Sequence, residues 1–244
     1  MMKFLYLFML FKEIILTFAL IKINVDTTGL LIPYSIGALG YIKKNLNICD
    51  YHLTGISGGS FASVIYHLEN DLSNHDKLWN KLLGDDNYVI KANKNMEEFQ
   101  QIIKYNIINN HKNVNINNIP ISIIVSNIDN LKITNRKIDK FANLEELLDY
   151  CICSSYIPYI CGNTFSKKYK DLNFIDGGIF KNLHHFDCIN NEYSKCERSI
   201  YIHTRMANRK FDLRNYLYIN KNTSKKLFNY GWNDCENLFK DFYK

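Results

Sequence analysis

Ser57 stands in the stretch Gly55-Ile56-Ser57-Gly58-Gly59, a hydroxyl with glycine two residues to either side. Before it, Tyr51-His52-Leu53-Thr54 alternates weakly and predicts the end of a strand. After it, Phe61, Val64, Ile65 and Leu68 recur at helical spacing. A strand that turns abruptly into a helix puts Ser57 on a strained corner with its hydroxyl exposed, the arrangement of a nucleophile elbow. Gly55 and Gly59 suit that corner because a Cβ there would collide with the neighbouring strand and helix. The helix N-terminus also directs unpaired N–H groups at negative charge developing on whatever Ser57 attacks. A glycine-rich turn carrying a bystander serine has the same pentapeptide; the strand before it and the helix after it favour the nucleophile.

A second constellation is Phe174-Ile175-Asp176-Gly177-Gly178, an aspartate just past an apolar strand and followed by glycines. In an open α/β sheet, sites form at the carboxyl ends of strands, so Ser57 and Asp176 are expected at one sheet edge. Asp-Gly-Gly also occurs in plain turns, where the carboxylate caps its own backbone. The pairing with the elbow gives Asp176 its weight.

The elements that must position these residues read as follows. Leu20 to Val25 is a buried strand, and Asp26-Thr27-Thr28-Gly29 is a turn. Pro33 suits the first turn of a helix running through Gly37, Ala38, Leu39 and Ile42, whose glycines predict close packing on a sheet. Ile48 to Thr54 is the second strand, completing a right-handed crossover unit that feeds the elbow. Helices follow at Asp76 to Leu83, stopped by Gly84, and at Met96 to Ile108; Asn109 to Asn118 is a polar loop. Pro120 to Ser126 is a strand, Leu144 to Cys151 a helix, and Leu172 to Ile175 and Ser199 to His203 are strands. Thr223 to Tyr243 is a final amphipathic helix capped by Thr223 or Ser224. Strands alternating with helices predict one α/β domain with a central, mainly parallel sheet.

The chain resembles the patatin-like phospholipases, which use a Ser–Asp dyad in place of a triad. Gly55-Ile56-Ser57-Gly58-Gly59 matches their elbow. Asp176-Gly177-Gly178, followed by Asn182-Leu183, matches their second motif, with His184 where the family often has proline. Cys153-Ser154-Ser155-Tyr156-Ile157-Pro158 and Tyr34-Ser35-Ile36-Gly37-Ala38-Leu39 resemble further family segments, and the likeness runs from about Ile21 onward. The resemblance implies a three-layer α/β/α fold over residues 20–244. It also implies a lipid acyl hydrolase acting on glycerolipids or phospholipids at a membrane or lipid-droplet surface. Asp176 carries over as the base, with no cofactor.

In that mechanism Asp176 accepts the Ser57 proton, the serine attacks an ester carbonyl, and water hydrolyses the acyl-enzyme. A partly apolar pocket would bring the Asp176 pKa toward neutrality. The N–H groups near Gly29 and Gly58 are the expected oxyanion donors. The loop departs from the family here: Asp26-Thr27-Thr28-Gly29 has one glycine where relatives have a cluster, and Leu30-Leu31 follow where a basic residue often stands. Threonine keeps its backbone N–H, but a β-branched residue resists positive φ. Two rival readings follow. One is an α/β-hydrolase triad drawing its base from His184, His185 or His203. The other is a catalytically weak or silent lipid-binding protein on the same fold, pointed to by Thr27 and Thr28.

Bulk properties narrow the classes. With 244 residues, 47% hydrophobic and 22% charged, one globular domain is expected. A net charge of +6, scattered along the chain, suits an anionic membrane surface and is too weak to argue for nucleic acid. The cysteines, among them Cys151, Cys153, Cys161, Cys188, Cys196 and Cys235, form no Cys-x-x-Cys pair and no zinc spacing, so reduced, partly buried thiols are expected. Residues 1–19 read either as a signal peptide, with Thr17-Phe18-Ala19 as cleavage site, or as an apolar N-terminal segment. The first reading implies the secretory pathway or a membrane, the second the cytoplasm.

Overall fold

The computed structural model describes residues 20–46, 48–92, 94–129, 132–178, 198–204, 206, 210–211 and 217–240. The predicted leader at 1–19, Asn182-Leu183, His184, His185, Cys188 and Cys196 lie outside them. The protein is an α/β fold with a central mixed, mostly parallel sheet flanked by helices.

The core is laid down by β1 (Ile21–Val25), α1 (Ile32–Asn45), β2 (Tyr51–Ile56) and α2 (Gly58–Leu68). Strands β1 and β2 pair in parallel, from Ile21 opposite Tyr51 to Val25 opposite Gly55. A short 3-10 turn, Gly29–Leu31, links β1 to α1, whose Pro33 sits in the first turn, where no N–H is needed. The glycines of α1 pack against a helix at Gly37 and, at Gly40, against the Leu72 loop as well as Trp232, which corrects the expectation of a sheet. A Cβ on Gly37 would stand 2.0 Å from the Phe228 carbonyl oxygen, and one on Gly231 1.8 Å from that of Tyr34. Two helices thus meet backbone to backbone, α1 and the C-terminal α6 (Lys221–Lys240). The latter is capped by Asn220, whose Oδ1 accepts the Thr223 N–H at 2.9 Å. Neither Thr223 nor Ser224 is the cap; Ser224 turns inward to His75 instead.

Between β2 and the next sheet strand lie α3 (His75–Leu83) and α4 (Met96–Asn110). Asn74 caps the first, and Gly84 ends it in a left-handed conformation, φ +72°. The inward face of α4 is Met96, Phe99, Ile103 and Ile107. Strand β3 (Ile90–Lys91) pairs with β9 (Tyr218–Ile219) as a separate two-stranded sheet, too short to be read from periodicity.

Strand β4 (Ile121–Asp129) is the hinge of the architecture. It pairs in parallel with β2 and antiparallel with β5 (Lys132–Ile138) and β7 (Leu172–Ile175). The sheet order is β6-β7-β4-β2-β1-β8, with β5 on β4 and β8 (Arg198–Ile202) parallel to β1. Strand β6 (Lys167–Tyr169) joins β7 through Lys170-Asp171, both at positive φ, the turn geometry that matches strand twist. Strand β5, which carries Lys132, Asn135, Arg136 and Lys137, lies at the sheet edge, where charge discourages further pairing; its polarity hides it from a hydrophobic pattern. Helix α5 (Leu144–Ser154), capped by Asn143, packs on β4 and β7.

Candidate active site

Strand β2 ends at Ile56, and α2 begins at Gly58, so Ser57 carries the whole change of direction. Its backbone is at φ +53°, ψ −130°, a region that costs a residue with a side chain about 1–3 kcal/mol. Surrounding hydrogen bonds hold it there. The Ser57 N–H donates to Ser154 Oγ at 2.8 Å, and that hydroxyl donates to the Ile124 carbonyl at 2.6 Å. Ser60 donates its N–H and its hydroxyl to the Ser57 carbonyl, at 3.0 and 2.6 Å. The flanking glycines make the corner possible. A Cβ on Gly55 would lie 2.5 Å from Ser60 Cα, and one on Gly59 2.3 Å from the Val25 carbonyl oxygen.

Asp176 arrives from the opposite direction. Since β5 occupies one flank of β4 at residues 123–129, both β2 and β7 lie on its other flank. Strand β2 ends with Ile56 opposite Ile124, and antiparallel β7 ends with Ile175 opposite Ser126. The two strand ends meet head-on, and the residues that follow them face each other across the gap. Ser57 Oγ donates to Asp176 Oδ2. The other oxygen, Oδ1, accepts the Gly178 N–H at 2.7 Å. The backbone is fixed by Asp176 N–H to Tyr156 O at 2.7 Å and Gly177 N–H to Ser154 O at 2.8 Å. Ser154 therefore braces both residues, a role that no chemical motif announces.

Ser57 and Asp176 are 1% and 2% exposed. The expectation of an exposed hydroxyl is corrected: the segment after β1 covers it. The side chains of Thr27 and Thr28 press on the glycines that follow the two site residues. A Cβ on Gly178 would stand 2.0 Å from Thr27 Oγ1, and one on Gly58 2.5 Å from Thr28 Oγ1 and 2.7 Å from the Gly29 carbonyl oxygen. Burial pushes the Asp176 carboxyl up to about 6. The hydrogen bonds from Ser57 and Gly178 oppose the rise, and the Asp26 carboxylate adds to it. Asp176 can therefore take a proton from Ser57 and return it near neutral pH.

The helix beginning at Gly58 has no intrahelical acceptor for its first amides, so Gly58 N–H is available as a donor. Gly29 adopts φ +51°, with open space around a Cβ. His203 follows β8, two strands from β2 and thus about 10 Å from the elbow. The Ser57 hydroxyl is directed to a carboxylate, not to an imidazole, among the described residues.

An apolar cavity lies between the helices and is lined by Leu30, Ile32, Ile65, Leu78, Phe99 and Phe228, among others. Its wall reaches the elbow, since Ile32 Cγ1 is 2.8 Å from a Cβ position on Gly58. One polar pair faces it, His75 Nε2 with Ser224 Oγ at 2.8 Å; burial lowers the His75 pKa and favours the neutral ring. Cys151, Cys153, Cys161 and Cys235 are buried free thiols, and Cys49 is exposed. Among the described residues no helix is long and apolar enough to cross a membrane. No protein-family model matches the chain, and no curated protein matches it either.

Proposed function

We propose that the protein is a lipid acyl hydrolase of the patatin-like phospholipase type, cleaving carboxylic esters of glycerolipids through an acyl-enzyme on Ser57. The carrying observation is the hydrogen bond from Ser57 Oγ to Asp176 Oδ2 at a positive-φ strand–helix corner. Ser57 Oγ bonds to the ester carbonyl carbon while its proton passes to Asp176, and the carbonyl electron pair moves onto oxygen. Collapse of that intermediate breaks the ester C–O bond, and Asp176 returns the proton to the departing alcohol. Water, deprotonated by Asp176, then adds to the acyl carbonyl; the C–Oγ bond breaks, Asp176 returns the proton to Ser57 Oγ, and the fatty acid is released. The apolar cavity beside Ile32 supports an acyl substrate, because such a wall removes hydrocarbon from water at about 25 cal/mol per Å². Such esters reside in a membrane or at a lipid-droplet surface.

The burial of both site residues favours a second reading, a catalytically silent lipid-binding protein on the same fold. Labelling the purified protein with a fluorophosphonate separates the two. The hydrolase reading requires a stoichiometric adduct on Ser57 that is absent in Ser57→Ala. A folded protein that takes no label and releases no fatty acid from phospholipid or triglyceride overturns it.

A further inference from the structure

We propose that the side-chain hydroxyl of Thr28 is an oxyanion-hole donor, working with the Gly58 amide; the proposal rests on the serine-hydrolase reading above. Thr28 is only 2% exposed, and its Oγ1 is buried with no hydrogen-bond partner among the described residues. A buried hydroxyl without a partner costs a protein on the order of 1–3 kcal/mol, so its position calls for a use. The Thr28 backbone supplies no reason for it: its carbonyl accepts the Leu31 N–H at 2.9 Å, and φ is −120°.

The hydroxyl is aimed at the elbow. It lies 2.5 Å from a Cβ position on Gly58, the residue directly after the nucleophile. An amide nitrogen is about 2.5 Å from its own Cβ position, so Thr28 Oγ1 and Gly58 N are within about 5 Å of each other. Two donors that share one oxygen at about 2.9 Å each stand no more than about 6 Å apart. The separation therefore fits a hydroxyl and an amide converging on one oxygen. Two other donors nearby are engaged, Ser57 N–H on Ser154 Oγ and Thr27 N–H on Asp26 Oδ1 at 2.7 Å. The Gly29 carbonyl oxygen also points toward Gly58, and an acceptor there would repel an oxyanion unless donors outweigh it. A hydroxyl can rotate its proton toward the charge as it forms, which a fixed backbone carbonyl cannot do.

The test compares Thr28→Val, Thr28→Ser and wild type by single-turnover acylation with 4-nitrophenyl butyrate. Thr28→Val keeps the shape and loses the donor; acylation falls about 100-fold, the effect of deleting one oxyanion donor, with KM little changed. Affinity for a trifluoromethyl ketone, which forms a tetrahedral adduct on serine, falls by a similar factor. Thr28→Ser rescues most of the rate. Thr28→Val melts at the same temperature as wild type or higher, because a buried unpartnered hydroxyl has gone; a purely structural threonine would lose stability and rate together. Ser57-dependent turnover that is undiminished in Thr28→Val overturns the proposal alone, as does a Thr28→Ser variant as slow as Thr28→Val. A wild type with no Ser57-dependent turnover overturns the hydrolase reading and the proposal with it.

Discussion

Ile56 and Ile175 end two strands that run toward each other along the same flank of β4, opposite Ile124 and Ser126. A parallel sheet alone would carry the end of an antiparallel strand away from the elbow. Here β7 is displaced along β4, beyond the last residue of β2, so its carboxyl end comes back to the same place. The next residues, Ser57 and Asp176, are then neighbours without any bridging imidazole. Rigid strands on both sides set their separation, and Ser154 ties the two backbones together.

A pair so constrained is expected to behave as one unit. Ser57→Ala and Asp176→Asn should each remove ester hydrolysis while native circular dichroism is retained. The double variant should be no worse than either single one, because residues of one catalytic unit are grossly non-additive. Losses that multiply in the double variant would show that the two residues act separately.

The acid limb of activity should report Asp176. Its carboxyl, raised by burial to about 6, must be ionised to accept the serine proton, so kcat/KM should fall as pH drops through about 6. Asp26 is one of the causes of the rise. Asp26→Asn removes that charge, and its side-chain oxygen still accepts the Thr27 N–H. The limb should move to lower pH. A pH profile of kcat/KM unchanged by Asp26→Asn would show that the carboxylate at position 26 has no influence on the site.

The same burial has a cost in stability. The folded-state pKa of Asp176, about 6, lies above the ordinary 3.8, so between these values the folded protein binds more proton than the unfolded chain. The contribution of Asp176 to stability is therefore fully present below about pH 4 and is lost as pH rises through 6. At pH 8 the ionised carboxylate costs about 3 kcal/mol by this linkage. Asp176→Asn, which keeps an acceptor for Gly178 N–H, should melt higher than wild type at pH 8 and show no such gain at pH 4. Calorimetry at the two pH values measures this; equal shifts at both would rule out ionisation as the origin.

Much of this arrangement was legible in the chain. Alternation and helical spacing placed β1, β2, β4, β7 and most helices, and Gly55 and Gly59 announced a corner where backbones touch. What stayed hidden is physical in each case. Strand β5 is polar because it is an edge, so it carries no apolar signature. Gly37 and Gly40 signalled close approach but could not say to what, since a helix, a loop and a sheet demand the same missing Cβ. The burial of Ser57 comes from Thr27 and Thr28, whose effect depends on where the loop folds back. Ser154 stands in a segment that resembles the family, but its role does not show there: its hydroxyl accepts from the elbow and donates to β4.

The cavity beside the elbow leads to a prediction about chain length. Ile32 borders both Gly58 and the cavity, so an acyl group on Ser57 that passes Ile32 enters a space walled by Ile36 and Leu78. If the fatty chain lies there, esters of long acids should be cleaved better than short ones. Narrowing the far end should remove that preference. Leu78→Trp and Ile36→Phe enlarge residues on two different helices, α3 and α1, so a folding defect in one leaves the other informative. Each buried methylene contributes about 0.8 kcal/mol, so denying space to two of them should slow a laurate ester about tenfold or more. Butyrate, too short to reach the altered wall, should keep its rate. The measurement is kcat/KM over 4-nitrophenyl esters of increasing length in variants that melt near wild type, since overpacking alone costs about 1–3 kcal/mol. A uniform drop across all lengths, or an unchanged length profile in both variants, would place the acyl chain elsewhere.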